Sequence, residues 1–162
     1  MVQVFRETNG YSVKDLLQVA IDHLASAKVL FDKNPRCYDS AGYLSHLGIE
    51  LVLKSFLLHF TGKFPGIHSL TELMEKVEAC GPRLSLERNY RKILSHLDRF
   101  TDLRYPQPSH PIEIGDEDWK SIEALCNSLI GLMPGVMQRT IDYIEHEKKG
   151  KRILMRKRRN SS

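Results

Sequence analysis

The stretch SAGYLSHLGIELVLKSFLLHFT, residues 40–61, decides the fold. Its apolar residues Leu44, Leu47, Ile49, Leu51, Val52, Leu53, Phe56, Leu57 and Leu58 do not keep to one stripe but go all the way round a helix. Such a helix is either central in its bundle or shares one face with a partner chain. Gly62 follows as a natural helix terminator, because glycine adopts the left-handed conformation at no steric cost. His46, Glu50 and Lys54 are spaced by four and form one line along the helix surface. Glu50, Lys54 and His59 also break the apolar run Gly48–Phe60, leaving it too short and too charged to span a membrane.

Outward from this segment, helix signals continue in both directions. Ser12 with Asp15 three residues on resembles a capping box. Leu16, Leu17, Ala20, Ile21, Leu24, Ala27, Leu30 and Phe31 then recur at three- and four-residue spacing. Asn34-Pro35 stops that helix, since a residue before proline is pushed out of the α region. Downstream, Ser69 and Glu72 make a capping box for a short helix ending at Cys80-Gly81. A fourth helix starts near Ser85, buries Leu86, Tyr90, Ile93, Leu94, Leu97, Phe100 and Leu103, and ends at Pro106. After a Pro-rich loop, residues 106–115, Asp116 caps a fifth helix through Trp119, Ile122, Leu125 and Leu129. Pro134-Gly135 kinks or splits it, and the pattern runs on to about Glu147. No segment alternates with period two between turn signals, so no sheet is expected.

The expected fold class is therefore all-α, an up-and-down bundle of five to six helices over residues 12–147. Residues 1–11 form an N-terminal extension and 148–162 a basic, mobile tail. That tail carries eight cations: Lys148, Lys149, Lys151, Arg152, Arg156, Lys157, Arg158 and Arg159. The rest of the chain has 16 basic and 20 acidic side chains, a net of −4, so the pI of 9.0 comes from the tail. Three scattered cysteines, Cys37, Cys80 and Cys126, suit neither a disulfide framework nor a zinc knot and fit a reducing cytoplasm. Arg6 and Glu7 stand where a signal peptide would need its apolar stretch. The expectation is a cytoplasmic protein with no membrane segment.

The central helix GIELVLKSFLLHFTGKFP (Gly48–Pro65), the HSLTEL that follows (His68–Leu73) and LRYP (Leu103–Pro106) together resemble the HEPN family. The order is that family's: an apolar helix with a buried Glu and Lys, a Gly/Pro loop, a His opening the next helix, and an Arg-Tyr-Pro closing a later one. The resemblance spans about residues 12–147, with the motifs in 40–106. It implies a helical bundle, commonly a homodimer, often paired with a small nucleotidyltransferase. Many members are metal-independent RNases that use an Arg and a His with four to six residues between them. Others lack that motif and serve as binding or partner modules.

Three pairs fit the bare RNase spacing: Arg91/His96, Arg104/His110 and Arg139/His146. RNase chemistry needs a His to move the 2′-OH proton and an Arg to stabilise charge on the phosphorane. The active family motif carries Asn, Asp or His directly after its Arg, whereas Arg91 is followed by Lys92, and Arg88-Asn89 lies too far from His96. Arg104 and His110 flank the Pro-rich loop, and Arg139/His146 lies outside the motif-bearing region. Glu-x-x-His, HExxH, GxSxG and the P-loop are absent, so no metal or cofactor is expected.

His46, Glu50 and Lys54 have two readings: a structural Glu–Lys pair, or part of a cleft with His68 and Arg104 in which Glu50 orients Arg104 toward an anionic ligand. Tyr105 reads as core with its hydroxyl at the surface. The basic tail reads as a nucleic-acid contact, a solubilising terminus or a partner-docking extension. The leading function is a non-catalytic nucleotide- or RNA-associated module, homodimeric through the central helix region and partnered with a nucleotidyltransferase. The alternatives are a metal-independent RNase of toxin or defence type and a structural interaction domain.

Overall fold

A computed structural model describes residues 1–105 and 112–159, with the side chains of residues 104 and 150–159 excepted. Six α-helices are present among them: α1 (Val13–Lys33), α2 (Tyr38–Thr61), α3 (Leu70–Glu78), α4 (Arg88–Asp98), α5 (Asp116–Leu132) and α6 (Gly135–Arg159). The all-α bundle follows from the boundary chemistry. The Ser12 hydroxyl accepts the Asp15 N–H at 3.0 Å and opens α1. Asn34, ahead of Pro35, has φ −161° and ψ 126° and closes it. Gly62, with φ 68°, ends α2.

At the 134–135 break the chain splits rather than kinks. Met133, preceding Pro134, sits at φ −66° and ψ 140°, so α5 ends and α6 begins afresh. α4 is shorter than its apolar spacing predicts, starting at Arg88 and tightening into a 3₁₀ turn over Arg99–Arg104. That turn keeps Phe100 fully buried.

α1 and α2 form the central hairpin. At Gly48 the two backbones come so close that a Cβ there would lie 2.6 Å from Cγ of Leu24 and 3.3 Å from the Ala20 carbonyl oxygen. Fourteen of the 24 residues of α2 are buried. Most of its apolar surface is thus taken up inside its own bundle, by α1 on one side and by α3, α4 and the Arg99–Arg104 turn on others, while Leu44, Leu47 and Leu51 stay partly exposed and Phe60 is exposed. By length and composition α2 could cross a membrane, but most of that apolar window is buried within the fold.

Two expectations are corrected. A small sheet exists: β1 (Val4–Arg6) pairs antiparallel with β2 (Lys63–Pro65), in register Val4↔Pro65, Phe5↔Phe64 and Arg6↔Lys63. Three-residue strands are too short to show alternation, and what holds them is aromatic packing: Phe5 stacks on Phe64 with centroids 5.2 Å apart, and Tyr11 meets both edge-on. The N-terminal extension is therefore joined to the bundle. At the other end, α6 does not stop near Glu147 but runs through the basic segment to Arg159, whose Lys and Arg residues are good helix formers. The side chains of Lys151, Arg152, Arg156, Lys157, Arg158 and Arg159 lie outside the described residues.

Candidate functional site

The i, i+4 spacing of His46, Glu50 and Lys54 places all three on one line of α2, and the fold then covers that line. They are 1%, 5% and 5% exposed, so the surface line expected from spacing is a buried one. The loop before α3 and the end of α4 close over it. His46 Nδ1 lies 3.0 Å from the Leu97 carbonyl oxygen, and Nε2 lies 3.1 Å from the His68 carbonyl oxygen and 2.9 Å from the Thr101 hydroxyl.

Glu50 is the hub. Lys54 Nζ donates to its Oε1 at 2.5 Å, His46 Nε2 stands 3.6 Å from Oε2, and His68 Nδ1 is 3.1 and 3.2 Å from the two oxygens. Burial raises the affinity of this carboxyl for its proton. The hydrogen bonds from His46 and Lys54, the Lys54 charge and the His68 hydrogen bond outweigh it and bring the pKa down to about 2. Glu50 is therefore a carboxylate at any physiological pH. The Lys54 ammonium also lies over the Phe64 ring, 5.8 Å from its centroid, which ties the knot to the β1–β2 ribbon. Among the described residues no group of His, Cys, Asp and Glu is arranged to hold a metal ion.

His68 alone in this knot faces outward. Its side chain is 66% exposed while Nδ1 is anchored to Glu50, so the imidazole is positioned from within and accessible from without. Asp98 sets the loop that carries it. Its carboxylate accepts the N–H groups of Leu70 at 2.6 Å and Thr71 at 3.1 Å, and the Ser69 hydroxyl donates to it at 2.9 Å. Ser69 caps α3 as expected, accepting the Glu72 N–H at 3.2 Å. Asp98 and Thr101 were not singled out by sequence reasoning. An acidic residue in the last turn of α4 opposes the helix dipole and is the signal that it serves another element; Thr101 left no such trace.

The Arg–His pairs fare differently. Arg91 is held by Glu78 of α3 and donates from Nε to the Leu86 carbonyl oxygen at 2.9 Å. His96 turns the other way and meets Asp118 of α5 at 3.1 Å. Five residues apart is about 140° around a helix, and the two side chains accordingly sit on opposite flanks of α4. Arg139 and His146 are exposed on α6. His110 and the Arg104 side chain lie outside the described residues, and with them the proposed contact between Glu50 and Arg104. Tyr105 is 68% exposed and not core. Phe100 and Leu103 fill the inward places of the 3₁₀ turn, and Tyr105, extended beyond it at φ −132°, points away.

In comparison with known proteins, the family model for the HEPN domain matches residues 13–133. That span opens on the first residue of α1 and closes one residue past α5, leaving the β1 strand and α6 outside it. No curated protein and no solved structure matches the chain.

Proposed function

This chain belongs to the HEPN domain family, and on that premise we propose that it is a nucleotide- or RNA-associated module that works by binding rather than by cleavage. The family is RNase-related and nucleotide-associated. What supports the binding reading is the division of labour among these residues: Arg91 is committed to an ion pair with Glu78 and His96 to a contact with Asp118, on opposite flanks of α4, whereas His46, Glu50, Lys54 and His68 share one knot with a single exposed imidazole. An imidazole fixed through Nδ1 offers its other nitrogen to a phosphate or a ribose hydroxyl. Lys54 supplies positive charge beneath it, although most of that charge is balanced by Glu50.

The proposed setting is the cytoplasm, which three unpaired cysteines suit. The proposed assembly is a homodimer accompanied by a nucleotidyltransferase. The central helix region is the proposed dimer surface: Leu44, Leu47 and Leu51 of α2 are only partly buried within the chain and Phe60 is exposed. Exposed apolar side chains on the helices that such a surface could use include Val19 and Val29 of α1, Phe60 of α2, Ile130 of α5, and Val136 and Tyr143 of α6.

The test combines thermal shift and RNA integrity. Adenine and guanine nucleotides and a single-stranded RNA are titrated into the protein in EDTA, and the RNA is then run on a denaturing gel. The expected result is a raised Tm with at least one of these ligands, a shift weakened by His68→Ala, and intact RNA. Metal-independent cleavage that is lost in His96→Ala or His110→Ala would replace this reading with the RNase one. No shift with any ligand, together with capture of a constant protein partner, would replace it with a structural interaction domain.

A further inference from the structure

α4 turns a row of uncompensated cations outward. Arg88, Lys92, Ser95 and Arg99 are spaced by four, three and four, which at 3.6 residues per turn confines them to an arc of about 60°. All four are exposed. Leu94 and Leu97 occupy the opposite, inward face. The flanks are set by contacts already described: Arg91 and Asp98 reach α3 on one side, and His96 reaches α5 on the other.

Three of the acids near this row are engaged elsewhere. Glu78 holds Arg91 and the Leu86 N–H, Asp118 holds His96 and the Gly115 N–H, and Asp98 holds the start of α3. Glu87 and Asp102 bracket the row at its two ends, and neither makes an ion pair with it. Among the described residues, Arg88, Lys92 and Arg99 take no ion pair or side-chain hydrogen bond. In a body of net charge −4, three free cations on one face of one helix form a local positive field.

We propose that this outer face of α4 binds the phosphate backbone of single-stranded RNA and leads it toward the exposed ring of His68. The inference rests on the nucleotide- or RNA-binding reading above and adds the path. Guanidinium forks match phosphate oxygens, and one straight row about 16 Å long, from eleven residues at 1.5 Å each, follows one backbone. Asp98 places the loop carrying His68 at the Arg99 end of the row. The face carries no exposed large apolar side chain, so it offers neither an insertion wedge to a bilayer nor a hydrophobic anchor to a protein partner.

The full-length protein is titrated against a fluorescein-labelled, mixed-sequence RNA of about 12 nucleotides at several salt concentrations, read by anisotropy. The variants are Arg88→Ala/Lys92→Ala/Arg99→Ala, the charge-matched control Lys28→Ala/Lys33→Ala/Lys120→Ala, and the tail control Arg156→Ala/Lys157→Ala/Arg158→Ala. The expected result is at least tenfold weaker binding for the α4 variant and a salt slope smaller by about two, from three phosphate contacts at about 0.7 each. Its circular dichroism and Tm should match the wild type, since all three side chains are exposed, and both controls should bind nearly as the wild type does.

Wild-type binding that the α4 variant retains in full, or that only the tail variant loses, overturns the path while leaving RNA association standing. A wild type that binds no RNA overturns both. Row-dependent binding to anionic phosphatidylserine vesicles without RNA binding overturns the RNA assignment and makes the face a membrane contact.

Discussion

The carboxylate of Asp98, in the last turn of α4, accepts the backbone N–H of Leu70, in the first turn of α3, at 2.6 Å. One helix end thereby caps another helix's start, and the loop between α2 and α3 is held where His68 can reach Glu50. Sequence-local capping by Ser69 contributes to the same end, but the long-range cap decides where that end lies in space.

Removing this cap should therefore cost both stability and position. Asp98→Ala is expected to destabilise the protein by about 1–2 kcal/mol, the usual range for losing a helix cap. Amide exchange at Leu70 and Thr71 should rise well beyond that of the rest of α3. Exchange that rises uniformly, or not at all, would show that Asp98 does not hold this junction.

Glu50 predicts the acid limb of the stability curve. Its folded pKa, about 2, lies below the ordinary 4.5, so the unfolded chain binds more protons in between. Its contribution is fully present above pH 4.5 and is lost as pH falls from there through about 2. The shift corresponds to roughly 3 kcal/mol at 1.36 kcal/mol per unit. In urea melts between pH 7 and 2.5, Glu50→Gln should start less stable, because buried Lys54 loses its counterion, and should lose less of that stability toward acid. Parallel curves for the two proteins would refute the assignment.

Gly48 is a packing prediction. A Cβ 2.6 Å from Cγ of Leu24 cannot be accommodated unless the Leu24 side chain repacks or α1 moves against α2. Gly48→Val should lower stability by about 1–3 kcal/mol through overpacking. Gly48→Val combined with Leu24→Ala should recover part of that loss, and a double variant no better than the single one would point away from this contact.

Arg91 and His96 separate a structural role from a catalytic one. Arg91→Ala breaks the link to Glu78 and Leu86 and should cost about 1 kcal/mol, the upper range for a partly exposed pair with an added hydrogen bond. His96→Ala should cost less, because one exposed histidine–aspartate contact is lost. Neither variant should alter RNA integrity after overnight incubation with the protein in EDTA. A cleavage activity abolished by both would mean that the pair acts together despite its separation on α4.

Much of the fold was legible in the chain because helices are specified locally. Ser12, Asn34-Pro35, Gly62, Ser69 and Pro134 act through their own backbone neighbours, and the boundaries of α1, α2, α3 and α5 follow from them within a few residues. The resemblance carried by Gly48–Pro65, His68–Leu73 and Leu103–Pro106 rests on the same local order. The β1–β2 ribbon left no such mark, since three-residue strands 59 residues apart depend on Phe5 meeting Phe64.

For the site, the sequence by itself determined that His46, Glu50 and Lys54 share one line of one helix, because 3.6 residues per turn leaves no choice. Only the tertiary structure decided that the line is buried, that His68 and Thr101 close over it, and that Asp98 from a third helix places His68 there. Likewise, spacing put Arg91 and His96 within reach of a motif, and packing against α3 and α5 sent them to opposite flanks. Periodicity fixes directions around one helix axis; which neighbour stands in each direction depends on contacts between residues far apart in the chain.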